Sequence, residues 1–232
     1  MQRATVVLRR AHERFRRYLM HNGVVDAAFH IAYRLANSVV TMLVLQILIL
    51  EQGDMDWSLV ASWDDRWRFL CLDELVRFAE QDPSLELDAG FLSAAFGRGD
   101  RCYGFVENGI LAAYAWYATR PTPVSPRLTA HFRRDYIYMY KTFTAMAFRG
   151  QRLCGAGAAQ AFRALVGDGR YQGLVSYIEV HNQPSLKSLK RIGFKTIGKV
   201  LVLGGKDPHL SYSSPGGRAL FRIAVHSSMT EG

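Results

Sequence analysis

Residues 136–194 limit what this chain can fold into more than any other part of it. Residues 136–143 (YIYMYKTF) combine aromatic and β-branched side chains that suit a pleated surface. Residues 148–157 (FRGQRLCGAG) are rich in glycine and positive charge, and they lead into a helix-forming run at 158–166. Residues 173–180 (GLVSYIEV) read as a second strand, followed at once by Asn182, a helical segment and a stop at Gly193. A strand-to-helix turn of this composition is an anion device. Small residues let the backbone approach phosphate, the free N–H groups of the helix start donate to it, and the helix dipole favours its charge. Arg149 and Arg152 add guanidinium forks that match phosphate oxygens.

The ordered set of strand, loop, helix, strand, Asn182-x-x-Ser185 and Gly193-Phe194 resembles the GNAT superfamily of CoA-dependent N-acyltransferases. The loop signature of that family, Gln/Arg-x-x-Gly-x-Gly/Ala, fits here in two registers. From Arg152, with Gly155 and Gly157, the pattern is complete. From Arg149, the spacing to Asn182 and to the preceding strand fits better, with Arg152 and Cys154 replacing two glycines and Gly155 just inside the helix. The second register is preferred. The resemblance spans residues 69–203 and is specific from 136 onward. It implies a GNAT-like α/β fold: a mixed, mostly antiparallel twisted sheet flanked by helices. It also implies acetyl-CoA as cosubstrate. Backbone N–H groups of Gly150, Gln151, Arg152, Leu153, Cys154 and Gly155, together with Arg149, would grip the pyrophosphate. The end of the first strand (Thr142, Phe143, Thr144) would face the thioester, and Asn182 and Ser185 would border the pantetheine arm in a slot between splayed strands. The plainer alternatives are an ordinary glycine-rich helix start with two solvated arginines, and Asn and Ser acting only as helix caps.

Composition narrows the class. Hydrophobic content of 49% with 21% charged residues excludes a disordered chain, and 232 residues bury one full core. A formal charge of +9 and a pI near 9.7 call for an acidic partner. The phosphates of CoA, an anionic lipid surface or nucleic acid would each serve, nucleic acid being the least favoured. Cys71, Cys102 and Cys154 are odd in number and far apart, which argues for a reducing compartment and against a zinc site, so no metal is expected. The apolar run 39–50 (VVTMLVLQILIL) is short for a membrane span, and no secretory signal is visible. A soluble cytoplasmic protein containing a long buried strand is expected.

Residues 2–19 read as a basic amphipathic helix, suited to peripheral membrane contact or to packing at a chain end, and 24–36 as a second helix. Residues 1–54 are taken as an N-terminal extension with its apolar strand, and 55–232 as the acyltransferase domain. The tryptophans Trp57, Trp63 and Trp67 suit a substrate platform or, more simply, anchors to the core. Helices are predicted over 69–80 and 88–96. A hairpin turns through Asn108-Gly109 between strands 101–106 and 110–119. The prolines of 120–126 read as a loop, 195–203 as a last core strand, 204–217 as turns and 218–225 as an edge strand.

For proton handling, Glu179 and His181 share a strand face with Tyr177 by alternation and are candidate bases for an attacking amine. Either is also compatible with a structural or surface role. The family often carries a tyrosine acid seven residues after its Asn; that position here is Leu189. Tyr136, Tyr138 and Tyr140 alternate on one face as substrate contacts or core. Cys154 fits a small loop position better than a nucleophile. The expected activity is transfer of an acetyl or short acyl group to a primary amine, an amino sugar or sugar nucleotide before a peptide. The competing class is a catalytically silent basic binding module on the same fold.

Overall fold

The computed structural model describes residues 42–60, 64–167, 169–204 and 208–226. The helices expected at 2–19 and 24–36, and Trp63, lie outside them. Eight strands form one sheet in the order β10-β9-β1-β8-β7-β4-β3-β2, and three more form a small sheet in the order β11-β6-β5. Every pairing in the large sheet is antiparallel except β7 with β8. The sheet is therefore mixed and mostly antiparallel, with helices on both faces.

The apolar run becomes β1 (Met42–Glu51), and it is interior, paired on one side with β8 (Gly173–Glu179) and on the other with β9 (Lys195–Leu203). Alternate side chains enter opposite layers. Leu48 and Leu50 pack under the helices α3 (Leu153–Val166) and α4 (Gln183–Arg191), while Leu45, Ile47 and Ile49 face the small sheet. Each fully buried residue of this kind stabilises by about 1.5–3 kcal/mol, so a strand preceding the expected boundary at residue 54 is a principal part of the core.

The segment expected to be helical from 69 starts instead with a strand, β2 (Trp67–Leu70), whose ends Trp67 and Leu70 are buried. The helix α1 (Leu72–Gln81) begins after Cys71, whose backbone N–H donates to the Glu74 carboxylate at 3.0 Å. Asp88 caps α2 (Ala89–Arg98) by accepting from the Phe91 N–H at 2.8 Å. The hairpin forms as read, β3 (Arg101–Glu107) to β4 (Ile110–Ala118), with Asn108 and Gly109 both at positive φ as its two-residue turn requires.

The proline stretch, expected to be a loop, contains β5 (Thr122–Ser125). Its place at the edge of the small sheet is where Pro123 is tolerated. β6 (Leu128–Phe132) and β10 (Leu210–Ser213) are short strands that the turn-rich sequence conceals. β7 spans Tyr136–Thr144, and β11 (Phe221–Val225) follows a single-turn helix, α5 (Pro215–Arg218). The chain folds in three layers. α3 and α4 cover one face of the large sheet, and α1, α2 and the small sheet cover the other.

Candidate active site

β7 and β8 run parallel but pair over three positions only, Tyr136 with Gly173 through Tyr138 with Val175. At the next position the Ser176 hydroxyl donates to the Met139 carbonyl at 2.8 Å, a buried side-chain bond where a main-chain bond would otherwise continue. Beyond it the strands part. β7 runs on to Thr144 paired with β4 alone, and that pairing is itself broken. Tyr114 faces Phe143 and Trp116 faces Tyr140, so Lys141 and Thr142 together oppose the single Ala115. This is a β-bulge, and Lys141 stands in the left-handed region at φ 45°. A non-glycine residue held there costs of the order of 1–3 kcal/mol, and such strain collects at working sites.

Above the parted strands lies a cleft of about 940 Å³ between the end of β7, the loop before α3, and α4. Thr142, Phe143 and Thr144 line it from the strand. Arg149, Gly150 and Arg152 line it from the loop, Leu153, Cys154 and Gly155 from the helix start, and Asn182 and Ser185 from the head of α4. Of the residues assigned to the cofactor from sequence, Gln151 alone is not in the lining.

α3 begins at Leu153, ahead of the helix-forming run at 158–166, and holds Gly155, as the preferred register has it, and Gly157 as packing glycines. A Cβ at Gly155 would come within 3.2 Å of the Ser188 hydroxyl on α4, and one at Gly157 would strike the Trp67 ring. The first intrahelical bond runs from the Ala156 N–H to the Arg152 carbonyl at 3.1 Å, so the N–H groups of Leu153, Cys154 and Gly155 precede the ladder. Gly150 at φ 86° and Arg152 at φ 63° turn the backbone just ahead of them. The Arg149 Nε donates to the Thr144 carbonyl at 3.2 Å, tying the loop to the end of β7.

Sequence reasoning missed Phe148, Ala156, Pro184, Lys187, Ser188, Arg191 and Ile192, which also line the cleft. The signal was available, because 184, 188 and 191 share the α4 face that starts at Ser185 under a 3.6-residue period. With Lys187 and Arg191 the lining holds four cations and no carboxylate. Burial pushes the Cys154 thiol up, more than its hydrogen bond with Ser188 lowers it, which leaves it a poor nucleophile. Leu189 is buried in the core under α4 and does not line the cleft.

Glu179 and His181 are not in the lining either. Their side chains meet, Nε2 to Oε2 at 2.8 Å, at the end of β8. Ile178 packs with the α3–α4 layer and Tyr177 with the opposite one, so alternation directs Glu179 away from the cleft, toward the far face of the parted strands. On that face lie the stacked rings of Tyr138, Tyr140 and Tyr177. Trp67 is an anchor buried in the core, whereas Trp57 is 43% exposed with its edge toward Phe162 of α3. No helix among the described residues is long and apolar enough to cross a membrane, and no group of three or more His, Cys, Asp or Glu among them is placed to hold a metal.

No protein-family model and no curated protein matches the chain. Solved structures are similar to it. An acetyltransferase of the GNAT family from Novosphingobium aromaticivorans is 14% identical with a TM-score of 0.48, over 81% of this chain and 67% of that one. A GNAT-family acetyltransferase from Colwellia psychrerythraea is 14% identical with a TM-score of 0.49, over 70% and 56%. AAC(6′)-Iy in complex with the bisubstrate analog CoA-S-monomethyl-acetylneamine is 15% identical with a TM-score of 0.43, over 56% and 89%. The parted parallel strands, the bulge and the helix start beside them, in a mixed sheet of this order, define a GNAT-like architecture. It is the superfamily that the Asn182, Ser185 and Gly193-Phe194 pattern resembles.

Proposed function

We propose that the protein is an N-acyltransferase that moves an acetyl or other short acyl group from acyl-CoA to a primary amine. The observation that carries the reading is the coincidence of two features: parallel strands that separate after three pairs, and a cationic cleft opening at a helix start directly beside them. The diphosphate of CoA would bind the N–H groups of Gly150 to Gly155, with Arg149 and Arg152 flanking it. The pantetheine arm would descend past Asn182 and Ser185 into the gap between β7 and β8. Main-chain N–H groups at the bulge and at Thr142 to Thr144 would polarise the thioester carbonyl, as preorganised donors do in acyl transfer.

The amine would approach from the face of Glu179 and His181. Its nitrogen forms the new bond to the carbonyl carbon, its proton passes to one of this pair directly or through water, and the C–S bond breaks with the electron pair leaving on sulfur. With Leu189 buried, solvent supplies the proton to the thiolate. The Tyr177 ring, on the same far face as Glu179, favours an acceptor with a ring, an amino sugar or sugar nucleotide ahead of a peptide amine.

Release of free thiol from acetyl-CoA against panels of amines tests the reading. One class of amine is expected to turn over. Glu179→Gln or His181→Ala then lowers kcat by about a hundredfold at a fixed amine. Acetyl-CoA that neither binds nor turns over, alongside salt-sensitive binding to DNA or anionic vesicles, would favour the silent binding module instead.

A further inference from the structure

The bulge in β7 is held from outside the strand. Tyr140 precedes it and Lys141 forms it, and both reach α2, one at each end. The Tyr140 hydroxyl donates to Asp100 Oδ2 at 2.7 Å. The Asp100 side chain is 1% exposed, and Arg98 at the last turn of α2 holds the same oxygen through Nη2 at 2.7 Å and Nε at 3.1 Å. The Asp100 N–H bonds to the Ala95 carbonyl at 3.0 Å, which fixes it against the helix end. The Lys141 ammonium lies 4.6 Å from the ring centre of Phe91 in the first turn of α2. Phe91 in turn meets edge-on, at 5.0 Å, the fully buried Trp116 that is the cross-strand partner of Tyr140.

A buried charge cluster of this kind contributes little net stability compared with apolar side chains of the same shape, and a phenylalanine at 140 would fill nearly the same volume. What the hydroxyl adds is direction. We propose that the Arg98–Asp100–Tyr140 cluster is the positioning device that sets the backbone of the Lys141–Thr142 bulge, and through it the aim of the main-chain N–H groups that polarise the thioester. Tyr140 acts through the backbone it carries and touches neither acyl group nor amine. Burial, with the hydrogen bond to Asp100, keeps its phenol protonated, so the tether persists throughout the working range of pH. The inference rests on the acyltransfer reading.

The test is Tyr140→Phe in the full chain, read three ways. The acetyl-CoA dissociation constant is expected to stay within about twofold, since no phosphate or pantetheine contact changes. The kcat is expected to fall about tenfold or more with the amine KM little altered, as when one preorganised donor is misdirected. Amide exchange at 141–144 is expected to accelerate while β4 keeps its protection. Asp100→Asn, which retains an acceptor oxygen for Tyr140, is expected to keep turnover closer to wild type. Unchanged kcat and unchanged exchange in Tyr140→Phe overturn the inference and leave the acyltransfer reading intact. An equal loss of melting temperature, acetyl-CoA affinity and kcat would assign the cluster a purely structural role. A wild-type chain that turns over no amine overturns both.

Discussion

Gly193 shows how much one residue can decide. It lies at φ 111°, and a Cβ there would collide with the Asp54 carbonyl, so the glycine that ends α4 also allows the chain after β1 to pass beneath it. Gly193→Ala is expected to destabilise by about 2 kcal/mol or more, measured by denaturant melts, because left-handed strain and overpacking add. Cys154 is governed by burial. With its thiol pushed up, alkylation at pH 7 by a small reagent is expected to be much slower than at exposed Cys71, and bound acetyl-CoA is expected to slow it further. Both Gly193 and the loop glycines were legible in the sequence as motif positions. The tether on Tyr140 was not, because Asp100 and Arg98 lie some forty positions away and meet it only when α2 is laid across β4 and β7.

Among the elements, one hydroxyl bridges β7 and β8 where they part. Removing it in Ser176→Ala leaves the buried Met139 carbonyl without that bond, at an expected cost of about 1–3 kcal/mol by denaturant melts. The small sheet carries one pH-responsive group. Burial first, then the charges of Arg222 and His226, hold His131 below its ordinary value of 6.5. The folded chain therefore takes up that proton less readily than the unfolded one. Stability from this source is complete above pH 6.5 and is lost as pH falls toward the depressed value. Protection factors of the β6 amides, corrected for intrinsic exchange, are expected to fall as pH drops from 6.5 to 5, and His131→Asn is expected to flatten the response. Long, strongly patterned elements such as β1, β7 and the Asn108-Gly109 hairpin could be read directly from the chain. β5, β6 and β10 could not, since four or five residues among prolines and glycines carry too little periodicity to reveal a strand.

For the whole molecule, the sequence indicated most residues of the cationic cleft because they are contiguous: one loop, one helix start, one cap. The proposed acceptor face is assembled from strands and helices distant in sequence, so the sequence offers Glu179, His181 and the alternating tyrosines of β7 and β8 without showing which of them are covered. β1 is buried as its apolar run predicts, but a uniformly apolar run does not reveal which neighbours will cover it, and they prove to be β8 and β9. Three-layer packing places the cationic cleft on one side of the parted strands and the face of Tyr177 and Glu179 on the other, and the functional reading follows from that arrangement. Calorimetric titration of the full chain with acetyl-CoA at physiological salt tests it most directly. The account predicts one-to-one binding, with a dissociation constant of roughly 1 μM to 1 mM as is usual for enzyme substrates, and loss of that binding when Arg149 and Arg152 are both changed to glutamate. Absence of binding by the unaltered chain, or binding that survives this charge reversal, would contradict it.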